Sequence, residues 1–218
     1  MPALDAPARQ VGGAAALVTA GVLFVLYPAL RPYGDLDPQA AGAAFASPLW
    51  LASHLAAVLG FALTGIGLAA LARREGTGAL VVASGAWWVG AVLCATYYGA
   101  EAFALHVLGA QIADPVRLAV LAEAVRMGPV QVVVFAAGLL LLAVAGVLVV
   151  VGLPRARAAA LPFAAGAVLF LPQFYAAPGL RIAHGVLLGV GCVALAWVLV
   201  SVSAKPLSGP VASGKWLS

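Results

Sequence analysis

Charge is what this chain has least of. Only 8% of its 218 residues are charged, with seven acids set against eleven Lys and Arg. A soluble domain carries about a quarter of its residues charged, and no segment outside the apolar runs is long enough to fold alone. The bases are scattered one or two per connecting segment, so the net charge of +4 does not form a nucleic-acid-binding stripe. Cysteine is nearly absent too. Cys94 and Cys192 both lie inside apolar runs, without metal-ligand spacing, and behave there as small apolar residues. There is no Walker A sequence, no dinucleotide-binding fingerprint, no GxSxG and no HExxH, which removes ATP-driven work, dinucleotide binding and the common hydrolase chemistry.

Apolar length is present in excess. The chain is 65% hydrophobic with a mean hydropathy of +1.11. Six stretches stand out: Val11–Leu30, Leu49–Ala72, Ala79–Leu105, Val130–Leu153, Ala158–Phe174 and Leu180–Ser203. A helix rising about 1.5 Å per residue needs about 20 apolar residues to cross roughly 30 Å of hydrocarbon. Backbone amides cannot stay unpaired in lipid, and the absence of alternation excludes a barrel. The expected fold class is therefore all-α: a polytopic membrane protein forming a six-transmembrane-helix bundle, a single membrane domain over 1–218. The first stretch is followed by Tyr27-Pro28 rather than a small-x-small site, so it reads as a retained helix and not a cleaved signal.

The loops set an orientation. With the N-terminus in the cytoplasm, one side collects Arg9, Arg73, Arg74, Arg155, Arg157, Lys205 and Lys215. The other holds Arg31, Arg117, Arg126 and Arg181, interspersed with Asp35, Asp37, Asp114 and Glu123. Lys and Arg in short loops stay cytoplasmic, so the expected location is a bacterial cytoplasmic membrane with both termini in the cytoplasm. Asp114-Pro115 and Gly128-Pro129 are start and stop signals for a short helix. That segment is too charged to span and apolar enough to lie on the outer surface between spans three and four. Pro172 is expected to end or kink the fifth span. Gly185, Gly189, Cys192 and Ala196 form a small-residue stripe on the last helix, a seam for tight packing and, in one reading, for a second copy of the chain.

Candidate chemistry is confined to one level of the membrane. The three histidines, His54, His106 and His184, all map to outer helix ends. Glu101 lies about 7–8 Å deeper than His106 on the same helix. Three imidazoles could hold Zn²⁺ or Cu, with Glu101 as a fourth ligand or a base. His54 and His184 could instead be axial ligands of a haem. Glu101, costly against lipid, could pass protons, pair with Arg181, or protonate an olefin inside an aromatic pocket lined by Trp87 and Tyr98. The bland alternative is that hydrogen-bonded histidines simply sit where helix ends meet the headgroups.

These residues define an outward-facing His/Glu pocket and three competing functions. One is a metal- or haem-binding membrane enzyme or redox protein. Another is a non-catalytic membrane protein that binds a lipid or hydrophobic small molecule or supports a partner. The last is an acid-initiated terpene cyclase using Glu101.

Overall fold

A computed structural model describes residues 6–201. Every regular element among them is helical: α1 (Ala6–Leu30), α2 (Ala41–Ala46), α3 (Pro48–Glu75), α4 (Gly78–Gln111), α5 (Pro115–Met127), α6 (Pro129–Gly152), α7 (Arg157–Val168) and α8 (Pro178–Val200). Two single-turn 3-10 helices, Tyr33–Leu36 and Pro172–Tyr175, complete the set.

Local chemistry places the helix ends. Pro48, Pro115, Pro129 and Pro178 each open a helix, where the missing amide costs nothing and the fixed φ is already helical. The Ser47 hydroxyl accepts from Leu49 N, and the Asp114 carboxylate accepts from Val116 N. These side chains satisfy amides that the first turn would otherwise orphan. Gly76 closes α3 at φ 67°, a left-handed position open to glycine without steric cost. It makes the tight reversal into α4.

Among the described residues five helices, α1, α3, α4, α6 and α8, are long and apolar enough to cross a membrane. The expected sixth full-length span is not among them. Helix α7 stops at Val168, and the chain continues through hydrogen-bonded turns into Pro172–Tyr175. Pro172 supplies the reason. It has no N–H to donate to the carbonyl of Val168 four residues back, and its ring clashes with that carbonyl.

The long helices and α7 close into a ring. Helix α1 packs against α3 and α8, α4 against α3 and α6, and α7 against α6 and α8. Phe24, Phe61, Trp87, Phe163, Phe170 and Leu188 fill its centre. Outward, the ring exposes valine and leucine, among them Val82, Val92, Val133, Leu140, Val147 and Val190. A continuous apolar belt of that kind is a lipid-facing surface, since water would not tolerate it. At one end, Arg74 donates to the carbonyls of Val198 and Ser201, so the end of α3 and the end of α8 meet there. Arg9, Arg73 and Arg74 lie together at that same end.

The opposite end is built differently. Helix α4 has 34 residues, about 50 Å at the helical rise, well beyond the hydrocarbon thickness. Its surplus length is covered by α2 and α5, and Ala41, Phe45, Trp50, Leu105, Leu118 and Ala122 form a second, smaller core there.

The small-residue stripe of α8 is consumed within the chain. A Cβ at Gly185 would lie 2.5 Å from the Phe24 carbonyl oxygen, and one at Gly189 would lie 2.9 Å from that of Gly21. Pro28 cannot donate to the Phe24 carbonyl, and α8 approaches just where that oxygen is left free. The seam expected for a second copy is thus the α1–α8 contact of one molecule.

Candidate functional site

Glu101 sits on the ring-facing side of α4, 7% exposed, at the level where the long helices give way to the small cap. Its Oε2 lies 2.9 Å from His54 Nε2, and its Oε1 accepts from Arg126 Nε at 2.6 Å. Arg126 Nη2 then reaches Asp35 Oδ2 at 3.0 Å, and Arg31 Nη2 reaches the same oxygen at 2.7 Å. The circuit nearly closes, because Arg31 Nη1 stands 4.0 Å from Glu101 Oε2. Two carboxylates and two guanidiniums from three separate segments, the α1–α2 connection, α4 and α5, therefore share one buried cluster.

Aromatic faces shelter it. Arg31 lies over the Trp50 ring at 4.8 Å, and Arg126 lies over Phe45 at 5.2 Å. The Trp50 indole N–H donates to the Glu101 backbone carbonyl at 2.9 Å, tying the start of α3 to α4 beside the carboxylate. Burial works against the charge on Arg31, but neighbouring Tyr27, Glu101 and Asp35 outweigh it and hold its pKa above the ordinary guanidinium value. The stacked rings and paired carboxylates compensate the desolvated cations, although Arg31 Nε makes no hydrogen bond among the described residues.

His54 is fully enclosed, and both ring nitrogens are occupied. Nδ1 lies 2.7 Å from the Trp50 carbonyl oxygen. That oxygen offers only lone pairs, so Nδ1 carries a proton. Nε2 and Glu101 Oε2 then hold one further proton between them. Neither nitrogen is left for a metal. His106 Nδ1 bonds the Phe45 carbonyl at 2.9 Å, and His184 Nε2 bonds the Gly166 carbonyl at 2.8 Å. Each imidazole is a tie between chain segments.

Several expectations change accordingly. Among the described residues no three His, Cys, Asp or Glu side chains gather as metal ligands, so His54, His106 and His184 do not make a shared Zn or Cu centre. A haem held by His54 and His184 fits no better, because His54 has no free nitrogen and no open face. The partner of Glu101 is Arg126 rather than Arg181, which donates instead to the Ala176 and Phe174 carbonyls at 3.0 and 2.5 Å. Glu101 is not the isolated acid that olefin protonation requires. Trp87 is not a pocket wall either, since its N–H donates to the Phe61 carbonyl in the core.

A cavity of about 310 Å³ opens beside the cluster. Glu101, Arg31, Asp35, Arg126 and Arg181 form its polar end. Its apolar wall includes Tyr97 and Phe135, stacked at 4.0 Å and 12°, and Phe174, edge-on to Phe135 at 5.4 Å. Leu36, Met127, Leu171 and Tyr175 rim the opening and are exposed, Tyr175 by 88%. The broken α7 segment creates this wall: a continued helix would carry Leu171 and Phe174 along a different path.

Sequence reading located Glu101 and His54 but missed the rest of the cluster. Arg31 and Asp35 are four residues apart, a spacing that brings side chains together on a helical turn. Arg126 stands two residues before Gly128-Pro129, the reversal that folds α5 back toward α4. Those local signals were legible, but the pairing of Arg126 with Glu101 was not. No family model matches the chain, and no curated protein or solved structure is significantly similar to it.

Proposed function

We propose that this multipass membrane protein binds a small amphipathic molecule in the cavity beside Glu101, and that this end of the bundle faces outward. One observation carries the reading. A cavity at the lower end of the usual size for small-molecule sites joins a charged, hydrogen-bonded floor to an aromatic wall and an exposed apolar rim. Such a gradient matches a molecule that partitions to the headgroup level. The outward assignment follows from Arg9, Arg73, Arg74, Arg155 and Arg157 at the other end, by the cytoplasmic retention of short basic loops.

The test is direct. Protein purified in mild detergent should yield a co-purifying small molecule on solvent extraction and mass spectrometry. Ala136→Trp, which places an indole in the cavity wall, should deplete it at least about tenfold, the equivalent of 1.4 kcal/mol. Equal recovery from both proteins would reject the reading.

A second reading, a membrane enzyme with Glu101 as its acid–base group, is favoured by one feature. Glu101 lines the cavity with His54 directly behind it, an arrangement that can hold and return a proton. Under that reading Glu101→Gln abolishes conversion of the bound molecule while leaving its binding intact.

A further inference from the structure

The polar end of the cavity narrows the ligand class, an inference that rests on the binding reading above. Three guanidiniums, Arg31, Arg126 and Arg181, line it against two carboxylates, Asp35 and Glu101. Three positive charges less two negative leaves at least one in excess, and the proton shared by His54 and Glu101 adds to that excess.

The carboxylates are also the more fully used. Glu101 is engaged at both oxygens, by Arg126 and His54, and Asp35 Oδ2 receives both Arg31 and Arg126. Asp35 Oδ1 has no partner among the described residues but is shut away from the surface, its side chain only 1% exposed, so it presents no acceptor to a ligand. The guanidiniums retain donors. Arg126 bonds through Nε and Nη2, and Arg181 does the same. Among the described residues neither makes a hydrogen bond through Nη1. A guanidinium offers five N–H groups and accepts none, and its fork matches the oxygens of a carboxylate or phosphate.

We propose that the cavity takes an amphiphile with an oxyanion head, a carboxylate or a phosphate, bound by Arg126 and Arg181, its apolar body lying on Tyr97, Phe135 and Phe174. A cationic head would meet three arginines. A neutral head would leave the excess charge uncompensated in a partly desolvated site.

Four probes of one chain length test this on the wild-type protein in phosphatidylcholine nanodiscs: dodecanoate, dodecyl phosphate, dodecanol and dodecylammonium. At least one anion should bind about tenfold or more tightly than dodecanol, the scale of one charge-assisted hydrogen bond, with dodecylammonium weakest. Whichever anion is tighter identifies the head as carboxylate or phosphate. Arg126→Lys or Arg181→Lys, keeping the charge but losing the fork, should reduce that preference. If dodecanol equals both anions, or both Lys variants keep the full preference, the oxyanion assignment is wrong and the binding reading stands. If none of the four binds and Ala136→Trp changes nothing in the extraction experiment, both readings fall together.

Discussion

At the scale of single residues, the cluster around Glu101 is an all-or-nothing arrangement. Ion pairs removed from water gain strength from one another but repay their desolvation only when every member is matched. Removing one partner should therefore be costlier than removing two. Glu101→Gln leaves Arg126 facing a neutral amide, and Arg126→Gln leaves Glu101 with a lost cation at 2.6 Å. Each should lower stability by about 3 kcal/mol, read as earlier thermal unfolding in detergent, and the double variant should lose clearly less than the sum. Additive losses would mean that the two side chains do not interact. Glu101 itself was legible in the chain, since an acid inside a long apolar run must face inward. Its partners were not, because Arg31, Asp35 and Arg126 lie 70, 66 and 25 positions away on segments that read only as loops and a surface helix.

At the scale of elements, the sequence speaks through its punctuation. Asp114-Pro115 and Gly128-Pro129 delimit α5 just where the helix begins and ends, because capping is a local matter of one side chain and two amides. Pro172 likewise ends the helical run before the cavity, and only the reach of the preceding helix was overestimated. Hydropathy cannot see that break: LFLPQFYAA is apolar whether it is helix or turn. The α1–α8 seam gives the element-scale prediction. Gly185→Ala puts a methyl group where only 2.5 Å separates Cβ from a backbone oxygen, so the helices must part, at a cost of about 2 kcal/mol. Gly12→Ala, with nothing within 4 Å among the described residues, should instead stabilise α1 by about 0.5–1 kcal/mol through helix propensity. Matching melting shifts for the two variants would show that the seam does not bear on stability.

At the scale of the whole molecule, the two ends of the bundle are chemically unlike. One carries the basic loops, where Glu75 beside Arg74 is the acid partner, and the other ties Arg31 and Arg126 to Asp35 and Glu101. That asymmetry predicts sidedness. Cys94 and Cys192 are buried and give no background to an impermeant maleimide. Asp37→Cys, exposed on the cap, should label in intact cells, and Arg155→Cys, exposed in the α6–α7 turn, should label only after permeabilisation. The reverse pattern would invert the bundle and turn the cavity toward the cytoplasm.

The amino-acid sequence alone determined the solvent, the long helices and most of their boundaries, but not the short α2 within the segment read as an outer loop. Apolar length and capping act over a few residues and need no knowledge of neighbours. Tertiary structure decided everything that depends on meeting across distance: that Glu101 pairs with Arg126, that the three histidines serve separate carbonyl or carboxylate partners, and that a broken helix leaves a cavity. Depth along a helix is written in the chain, whereas azimuth and partner emerge only when the ring closes.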